Sequence, residues 1–515
     1  MANTQEAFKQ SIKTGYSFSS EAIALGGALY NGEVVAETLV QVPLKTLNRH
    51  GLIAGATGTG KTKTLQSIAE ALSEKGVPVL LMDIKGDLSG VAAEGTPNPT
   101  ILERHQKIGI PYSPHKYPVE LLTISKAKGT RMRATVSEFG PVLFSKILSL
   151  NDTQSGLVSL IFKFCDDERL PLLDLKDFKK VLGYIGEEGK EKIEKTYGKV
   201  STTSTSTILR KVIELEQQGA ELFFDELSFD VEDLIRTNKN GYGYISVFKL
   251  TDIQDRPKLF STFMLSLLAE IYASFPEAGD MEKPKLCIFI DEAHLIFDEA
   301  SKALLDQIET IIKLIRSKGV GIFFCTQNPS DVPAPILGQL GLKIQHALRA
   351  FTANDRKMIK MTAENYPLSD YYKTEELLTS LGIGEAAITV LNEKGTPTPL
   401  VATLLRTPQS RMNVLTEAEI DALVASSELS AKYNKAIDRE SAFELLTNKI
   451  HSKDEEQDTE EIKQVKRERK EKTTLEEVMD SPITKQIGRT VFRELTRGLL
   501  GALGVTSGSR RRRYY

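Results

Sequence analysis

The sequence predicts an α/β fold with a mainly parallel β-sheet, a helical insertion and a helical C-terminal extension. The first observation is a strand, a glycine-rich loop, a helix and a second strand in succession, from "GLIAGATGTGKT" to "VPVLLMD". The second is that later apolar runs such as "LCIFI" and "GIFFC" are unbroken, which is typical of strands buried on both faces of a parallel sheet. The third is the stretch 146–240, which has a helical period and no strand pattern of similar quality.

The composition limits the class of protein. The chain has 515 residues, 41% hydrophobic and 26% charged, with a formal net charge of −3. This length suggests about two to four structural units, and the small net charge means that any nucleic-acid contact needs a local basic surface. No secretory signal core and no run of about 18 apolar residues is present, so we expect a cytoplasmic protein. Three cysteines lack metal-ligand spacing and predict buried thiols in a reducing compartment: Cys165, Cys287 and Cys325.

The predicted organisation has six parts. They are a short β-containing N-terminal segment, 1–45; a core, 46–145 and 241–405; the helical insertion, 146–240; a helical C-terminal part, 406–450; a charged linker, 451–475; and a basic amphipathic tail, 476–515. An acidic run followed by a basic run in the linker is typical of a solvated linker or an exposed helix.

A phosphate-binding motif follows the first buried strand. Gly55, Gly60, Lys61 and Thr62 satisfy G-x-x-x-x-G-K-[ST], between a predicted strand and a predicted helix. The glycines let successive backbone N–H groups converge on phosphates, Lys61 supplies a positive charge, and the Thr62 hydroxyl completes a Mg²⁺ shell. We therefore predict that ATP and Mg²⁺ are cofactors and that the nucleotide site is formed by Gly55, Ala56, Thr57, Gly58, Thr59, Gly60, Lys61, Thr62 and Lys63.

Two acidic residues directly follow the apolar run 286–290. We expect Asp291 to hold the metal, directly or through water, and Glu292 to polarise the attacking water. The alternative is that Glu292 only caps the next helix, where acidic residues are favoured. The letters "DEAH" at 291–294 also occur in one helicase superfamily, but the chain has one phosphate motif and no paired helicase core. We therefore interpret His294 as a packing residue.

The segment "DIKGDLSG" follows the second strand of the core. Ligands of α/β proteins gather at this carboxyl edge of the sheet. Asp83, Lys85 and Asp87 either join the metal and water network there or form an ordinary polar turn.

Taken together, "HGLIAGATGTGKT", "VLLMDIKGDLSG", "IFIDEAHLIF", "RSKGVGIFFCTQNPSDVP" and "LRAFTANDR" resemble the HerA–FtsK superfamily of DNA-pumping ATPases. The best match is its HerA-like helicase C-terminal family, over roughly 46–450 and the tail. The resemblance implies a RecA-type P-loop ATPase fold, ring-forming relatives and motion along double-stranded DNA. It therefore predicts a homo-oligomer, with a hexamer as one form, and a DNA helicase or translocase activity.

The resemblance also implies roles for three further residues. Gln327 ends the "GIFFCTQ" strand, where the family places a sensor glutamine that touches the γ-phosphate; the alternative is a plain loop residue. Arg349 and Arg356 are candidates for an arginine finger that reaches a neighbouring subunit, with Arg349 slightly favoured; the alternative for each is a surface ion pair. With Lys61 and Glu292, these residues complete the predicted catalytic set.

The chain departs from the pumps in two respects. Only about fifty residues precede the phosphate motif, where the pumps carry a barrel or a membrane module, and the insertion is not a standard part of their core. No DNA-reading motif is present, so we expect DNA binding without sequence specificity. A nucleotide-dependent regulatory or assembly ATPase that acts on protein partners therefore stays an alternative, as does a peripheral membrane ATPase.

The predicted tail has two helical faces and a basic end. One face carries Arg489, Arg493 and Arg497, another carries Ile487, Val491, Leu495 and Leu499, and the end carries Arg510, Arg511, Arg512 and Arg513. Three interpretations remain open: a helix that docks on a partner subunit, a contact with DNA phosphates, and a helix on a membrane surface.

Overall fold

The computed structural model describes residues 2–450, apart from 255, 280, 298–301, 436 and 438. It divides into two compact units. The sheet unit comprises the chain up to Met132 and Phe229–Lys435, and the helical unit comprises Arg133–Ser228 with the described residues after 435. The predicted linker and tail lie outside the described residues.

A single sheet of twelve strands, counted within the described residues, forms the sheet unit. The strands are β1 Ala22–Tyr30, β2 Glu33–Pro43, β3 Gly51–Ala54, β4 Val79–Asp83, β5 Val119–Thr123, β6 Thr130–Arg131, β7 Ile245–Lys249, β8 Leu286–Ile290, β9 Val320–Thr326, β10 Leu342–Gln345, β11 Glu385–Thr389 and β12 Val401–Leu405. Their order is β2-β1-β12-β11-β10-β3-β9-β8-β4-β7-β5-β6. Every neighbouring pair from β10 to β6 is parallel, and the pairs at the other end are antiparallel.

Helices connect these strands and build the helical unit. They are α1 Ala2–Gly15, α2 Lys61–Glu74, α3 Pro99–Ile108, α4 Val136–Ile147, α5 Asp152–Glu168, α6 Leu175–Gly186, α7 Lys190–Tyr197, α8 Thr202–Gln217, α9 Pro257–Ser274, α10 His294–Phe297, α11 Lys302–Ile315, α12 Ala334–Leu337, α13 Ala353–Ala363, α14 Thr374–Ser380, α15 Glu417–Ser426 and α16 Glu428–Tyr433. Among the helices of the described ranges, none is both long and apolar enough to cross a lipid bilayer.

The central strands explain why the sheet is mainly parallel. Every residue of β3, β4, β8 and β9 is buried. Strands of a parallel sheet are covered by helices on both faces, and such strands therefore have unbroken apolar sequences. Phe289 of β8 and Phe323 of β9 are register partners, and their rings stack with centroids 4.6 Å apart. The predicted α/β fold with a mainly parallel sheet is confirmed. The three cysteines are free and buried.

The N-terminal segment also contains a helix that the sequence analysis did not predict. Phe8, Ile12 and Tyr16 recur every four residues along α1 and the residue that follows it, and all three are buried. The Tyr16 hydroxyl donates to the Ile388 carbonyl at 3.1 Å and to the Pro399 carbonyl at 2.8 Å. These contacts fix α1 to the antiparallel end of the sheet.

The helical unit has an aromatic core of its own. The rings of Phe144, Phe162 and Phe178 lie with centroids 4.7 to 6.4 Å apart. α4 begins before the predicted start of the insertion at residue 146. Gly140 (φ 69°) and Pro141 lie inside this helix and interrupt its helical period. The predicted limits 146 and 240 stay a prediction.

Candidate active site

The phosphate motif forms the turn between β3 and α2. Gly55, Gly58 and Gly60 have φ values of 149°, 78° and 111°, in the region that side-chain-bearing residues rarely adopt. Gly55 also has no room for a side chain, because an added Cβ would lie 2.5 Å from the Cβ of His346. The loop therefore requires glycine both for its backbone conformation and for its contact with the neighbouring strand.

Lys61 is the best-enclosed charged group of this loop. Lys61 is only 7% exposed, and its Nζ donates to the carbonyls of Gly55 at 2.6 Å and Ala56 at 3.2 Å. The Thr59 hydroxyl also donates to the Ala56 carbonyl, at 2.7 Å. Burial lowers the pKa of Lys61, and the positive charge of Lys85 lowers it further. The ammonium is thus held at the loop, next to the amides that the motif directs at phosphates.

Thr62 and Lys63 occupy the first turn of α2. Thr62 is half-buried. The Lys63 ammonium donates to the Met412 carbonyl at 2.6 Å, so its side chain is bound to the segment after β12. The predicted phosphate contact of Lys63 stays a prediction.

His346, which the sequence analysis did not predict, contacts the helix that follows the loop. It follows β10, is fully buried, and places Nε2 3.0 Å from the Thr64 hydroxyl. Burial, and then the charge of Lys61, lower the pKa of His346 to about 4, so the ring is neutral at neutral pH. The next residue, Ala347, accepts a hydrogen bond from the Ala56 amide at 2.9 Å. No local sequence signal marks this residue, because the strand "LKIQ" before it mixes apolar and polar residues.

The two acidic residues lie at the carboxyl end of β8. Asp291 is 2% exposed, and its Oδ2 is buried without a hydrogen-bond partner. Burial raises the pKa of Asp291 to about 6, against the opposing effect of Lys85. Glu292 has a left-handed backbone with φ 47° and forms an ion pair with Lys85. His294 Nδ1 lies 3.3 Å from Glu292 Oε2, so His294 is a neighbour of this carboxylate.

The structure separates the roles of the two acids in "DIKGDLSG". The Asp83 carboxylate accepts hydrogen bonds from the amides of Gly86 (2.7 Å), Asp87 (3.1 Å) and Leu88 (3.1 Å), and therefore organises the turn. Burial raises the pKa of Asp83 to about 6. Asp87 keeps a buried Oδ1 without a hydrogen-bond partner.

Gln327 lies between the phosphate loop after β3 and the acidic pair after β8. It follows β9, which separates β3 from β8 in the sheet, and its side chain is exposed. The Thr57 hydroxyl donates to Gln327 Oε1 at 3.3 Å, which joins this residue to the phosphate loop. The sensor role stays a prediction.

Both candidate finger residues lie on the surface of the sheet unit. Arg349 follows β10, three residues after His346, and Arg356 lies in α13; both side chains are exposed. Exposure suits a residue that acts on another subunit and equally a surface ion pair. The finger role therefore stays a prediction for both.

Comparison of the sequence with known protein families identifies the family of this chain. The sequence profile described as Helicase HerA-like C-terminal matches residues 30–512. The chain belongs to this family. In this HerA-like chain, β9 lies between the phosphate-loop strand β3 and the acidic strand β8, which is the strand order of a RecA-type P-loop core.

Curated relatives of this HerA-like chain carry helicase names. The DNA double-strand break repair helicase HerA of Sulfolobus acidocaldarius is 25% identical over 358 residues, which cover 68% of this chain and 64% of the relative. The protein of the same name from Sulfurisphaera tokodaii is 23% identical over 387 residues, covering 70% of this chain and 66% of the relative. The chain thus spans less than two thirds of the length of these relatives.

Two of the solved structures to which this chain is similar are a plasmid coupling protein and VirB4. The plasmid coupling protein TrwB in complex with ADP and Mg²⁺ is 13% identical, with a TM-score of 0.48, over 78% of this chain and 99% of TrwB. VirB4 of Thermoanaerobacter pseudethanolicus is 16% identical, with a TM-score of 0.45, over 76% of this chain and 98% of VirB4.

Proposed function

We propose that this protein is an ATP-hydrolysing motor of the HerA–FtsK type. The observation that carries the proposal is that β3, β9 and β8 are adjacent parallel strands whose carboxyl ends bear Lys61, Gln327 and the pair Asp291–Glu292. A lysine in a glycine loop binds and orients phosphates, while a carboxylate at a nearby strand end accepts a proton from the attacking water. We propose that Gln327 senses the γ-phosphate; its hydrogen bond with Thr57 of the phosphate loop supports this role.

The residues fit Mg²⁺. Asp291 has a buried oxygen without a partner, and Thr62 presents a hydroxyl at the start of α2; hard oxygen ligands of this kind suit Mg²⁺. Over the residues that the structure describes, no cluster of three or more His, Cys, Asp or Glu side chains is placed to hold a metal. Thr62 and Asp291 would thus hold the ion together with phosphate oxygens, and the ion would neutralise charge on the transferring phosphoryl group.

We propose DNA, bound without sequence specificity, as the substrate along which the motor moves. Family membership and the helicase names of the relatives support this assignment. We also propose a homo-oligomer, because exposed Arg349 and Arg356 suit a site completed by a second copy. The second candidate, a regulatory or assembly ATPase acting on protein, is favoured by the helical unit, which is not a standard part of the translocase core.

Hydrolysis measured with and without duplex DNA tests the proposal. We expect MgATP hydrolysis that duplex DNA stimulates several-fold, and background hydrolysis in Lys61→Met. Hydrolysis without stimulation at any duplex length or salt concentration would favour the regulatory ATPase. Parental hydrolysis by Lys61→Met would contradict the site itself.

A further inference from the structure

The loop after β4 brings a lysine to the hydrolysis side of the site. The Lys85 ammonium pairs with Oε1 of Glu292. The Asp83 carboxylate fixes the loop backbone through the amides of residues 86–88, whereas the Lys85 side chain is 41% exposed. A fixed backbone with a half-exposed side chain leaves the ammonium room to change partners.

Glu292 is enclosed where it stands. Neither of its carboxylate oxygens is accessible to solvent, and Oε2 lies against His294. Its φ of 47° is a conformation that costs a residue with a side chain about 1 kcal/mol or more. A general base needs an oxygen within hydrogen-bond reach of the water that it deprotonates. Glu292 must therefore move before it can act, and the ion pair with Lys85 opposes that movement.

Lys85 also lies within electrostatic range of the phosphate loop. Its charge acts on Lys61, and the charges of Asp291 and Glu292 act on both lysines. Phosphates bound at Lys61 would place several negative charges in the same region, in competition with one carboxylate for the Lys85 ammonium.

We propose that Lys85 is a positioning residue that holds Glu292 in an ion pair until nucleotide phosphates attract its ammonium, and that this exchange frees Glu292 to reach water. The inference rests on the proposed function, hydrolysis of a nucleotide at this site. It follows that Glu292 and the phosphates compete for one ammonium. Removing the Glu292 charge must therefore tighten nucleotide binding, and the tightening must depend on Lys85.

A double-mutant cycle on nucleotide affinity tests this dependence. The dissociation constant of a fluorescent, non-hydrolysable ATP analogue with Mg²⁺ is measured for Glu292→Gln in the parental, Lys85→Met and Lys128→Met backgrounds. Lys128 is a matched control, since it is 46% exposed and pairs with Glu417 and Asp421. We expect Glu292→Gln to tighten binding about fivefold in the parental and Lys128→Met backgrounds, and less than about twofold with Lys85→Met.

Equal tightening in all three backgrounds would overturn the exchange, because simple repulsion between Glu292 and phosphate does not require Lys85. Lys85→Gln replaces Lys85→Met if the latter does not fold, and Lys85→Arg should retain the tightening because it keeps the charge. Failure of the parental protein to bind the analogue, or equal binding by Lys61→Met, would contradict the proposed function rather than the role of Lys85.

Discussion

At the end of β3, Lys61 donates to two carbonyls and the Thr59 hydroxyl donates to one of the same carbonyls. His346 contacts the helix behind them through Nε2, while its Nδ1 is buried without a hydrogen-bond partner. At the end of β8, Asp291 keeps a buried oxygen without a partner and Glu292 has a left-handed backbone. Unsatisfied buried groups and strained backbone cost stability and persist where function requires them. The comparison indicates that the binding half, at the end of β3, is largely part of the folded framework. The hydrolysis half, at the end of β8, bears the larger stability cost, because it combines an unpartnered carboxylate oxygen with a strained residue.

The largest expected effect separates activity from stability in the hydrolysis half. Glu292→Gln keeps the shape of the side chain but removes its basicity, so we expect kcat to fall about 10³-fold. The free energy of unfolding should change by less than about 1 kcal/mol, because loss of the Lys85 ion pair is offset by removal of an enclosed charge. Steady-state hydrolysis and urea unfolding followed by circular dichroism measure the two quantities.

Asp291→Asn is the companion variant. It should also abolish turnover, and it should not destabilise the fold, since its buried carboxylate oxygen lacks a partner. Marked destabilisation by either variant would show that the end of β8 belongs to the framework after all.

The binding half should behave in the opposite way. Gly55→Ala forces a side chain into a positive-φ position and places its Cβ 2.5 Å from that of His346. We expect a loss of about 2–4 kcal/mol in stability together with loss of nucleotide binding. Gly58→Ala is the matched control, because its φ is 78° but an added Cβ meets nothing within 4 Å. It should lose only about 1 kcal/mol, and equal losses would remove the role assigned to the His346 contact.

Local sequence determined which features could be predicted. The glycine spacing at 55–60 and the acids after the apolar run 286–290 are encoded within a few residues, so the loop and the Asp291–Glu292 pair were recognisable. The sequence left open whether Lys85 joins the metal and water network or only forms a polar turn, because its ion pair with Glu292 depends on β4 and β8 being neighbours. His346 was missed for the same reason, since it reaches the loop only because β10 pairs with β3.

The role of His346 predicts a pH dependence confined to the binding half. Its pKa is about 4 in the folded protein and about 6.5 when unfolded, so between these values the unfolded state binds a proton that the folded state does not. Its contribution to stability is thus complete above pH 6.5 and falls by about 2 kcal/mol between pH 7 and pH 5. His346→Gln should remove this loss.

The difference between parental protein and variant isolates His346 from groups that titrate in the same range. Buried His50 also has a pKa of about 4, whereas Asp83 and Asp291 have values of about 6 and change stability in the opposite direction. Urea unfolding of both proteins at pH 7 and pH 5 gives the comparison. Parallel pH profiles would mean that the loop does not depend on a neutral ring at this position.

The smallest expected effect tests whether the two halves are as separable as the comparison implies. The hydrogen bond from Thr57 to Gln327 joins them, but it is 3.3 Å long and both side chains are exposed. Neutral bonds of this kind contribute about 0.5–1 kcal/mol, so a double-mutant cycle of Thr57→Val and Gln327→Ala on kcat/KM should show about two- to fivefold coupling. Coupling much above tenfold would mean that Gln327 acts only through the loop, and binding and hydrolysis would then share one framework rather than two.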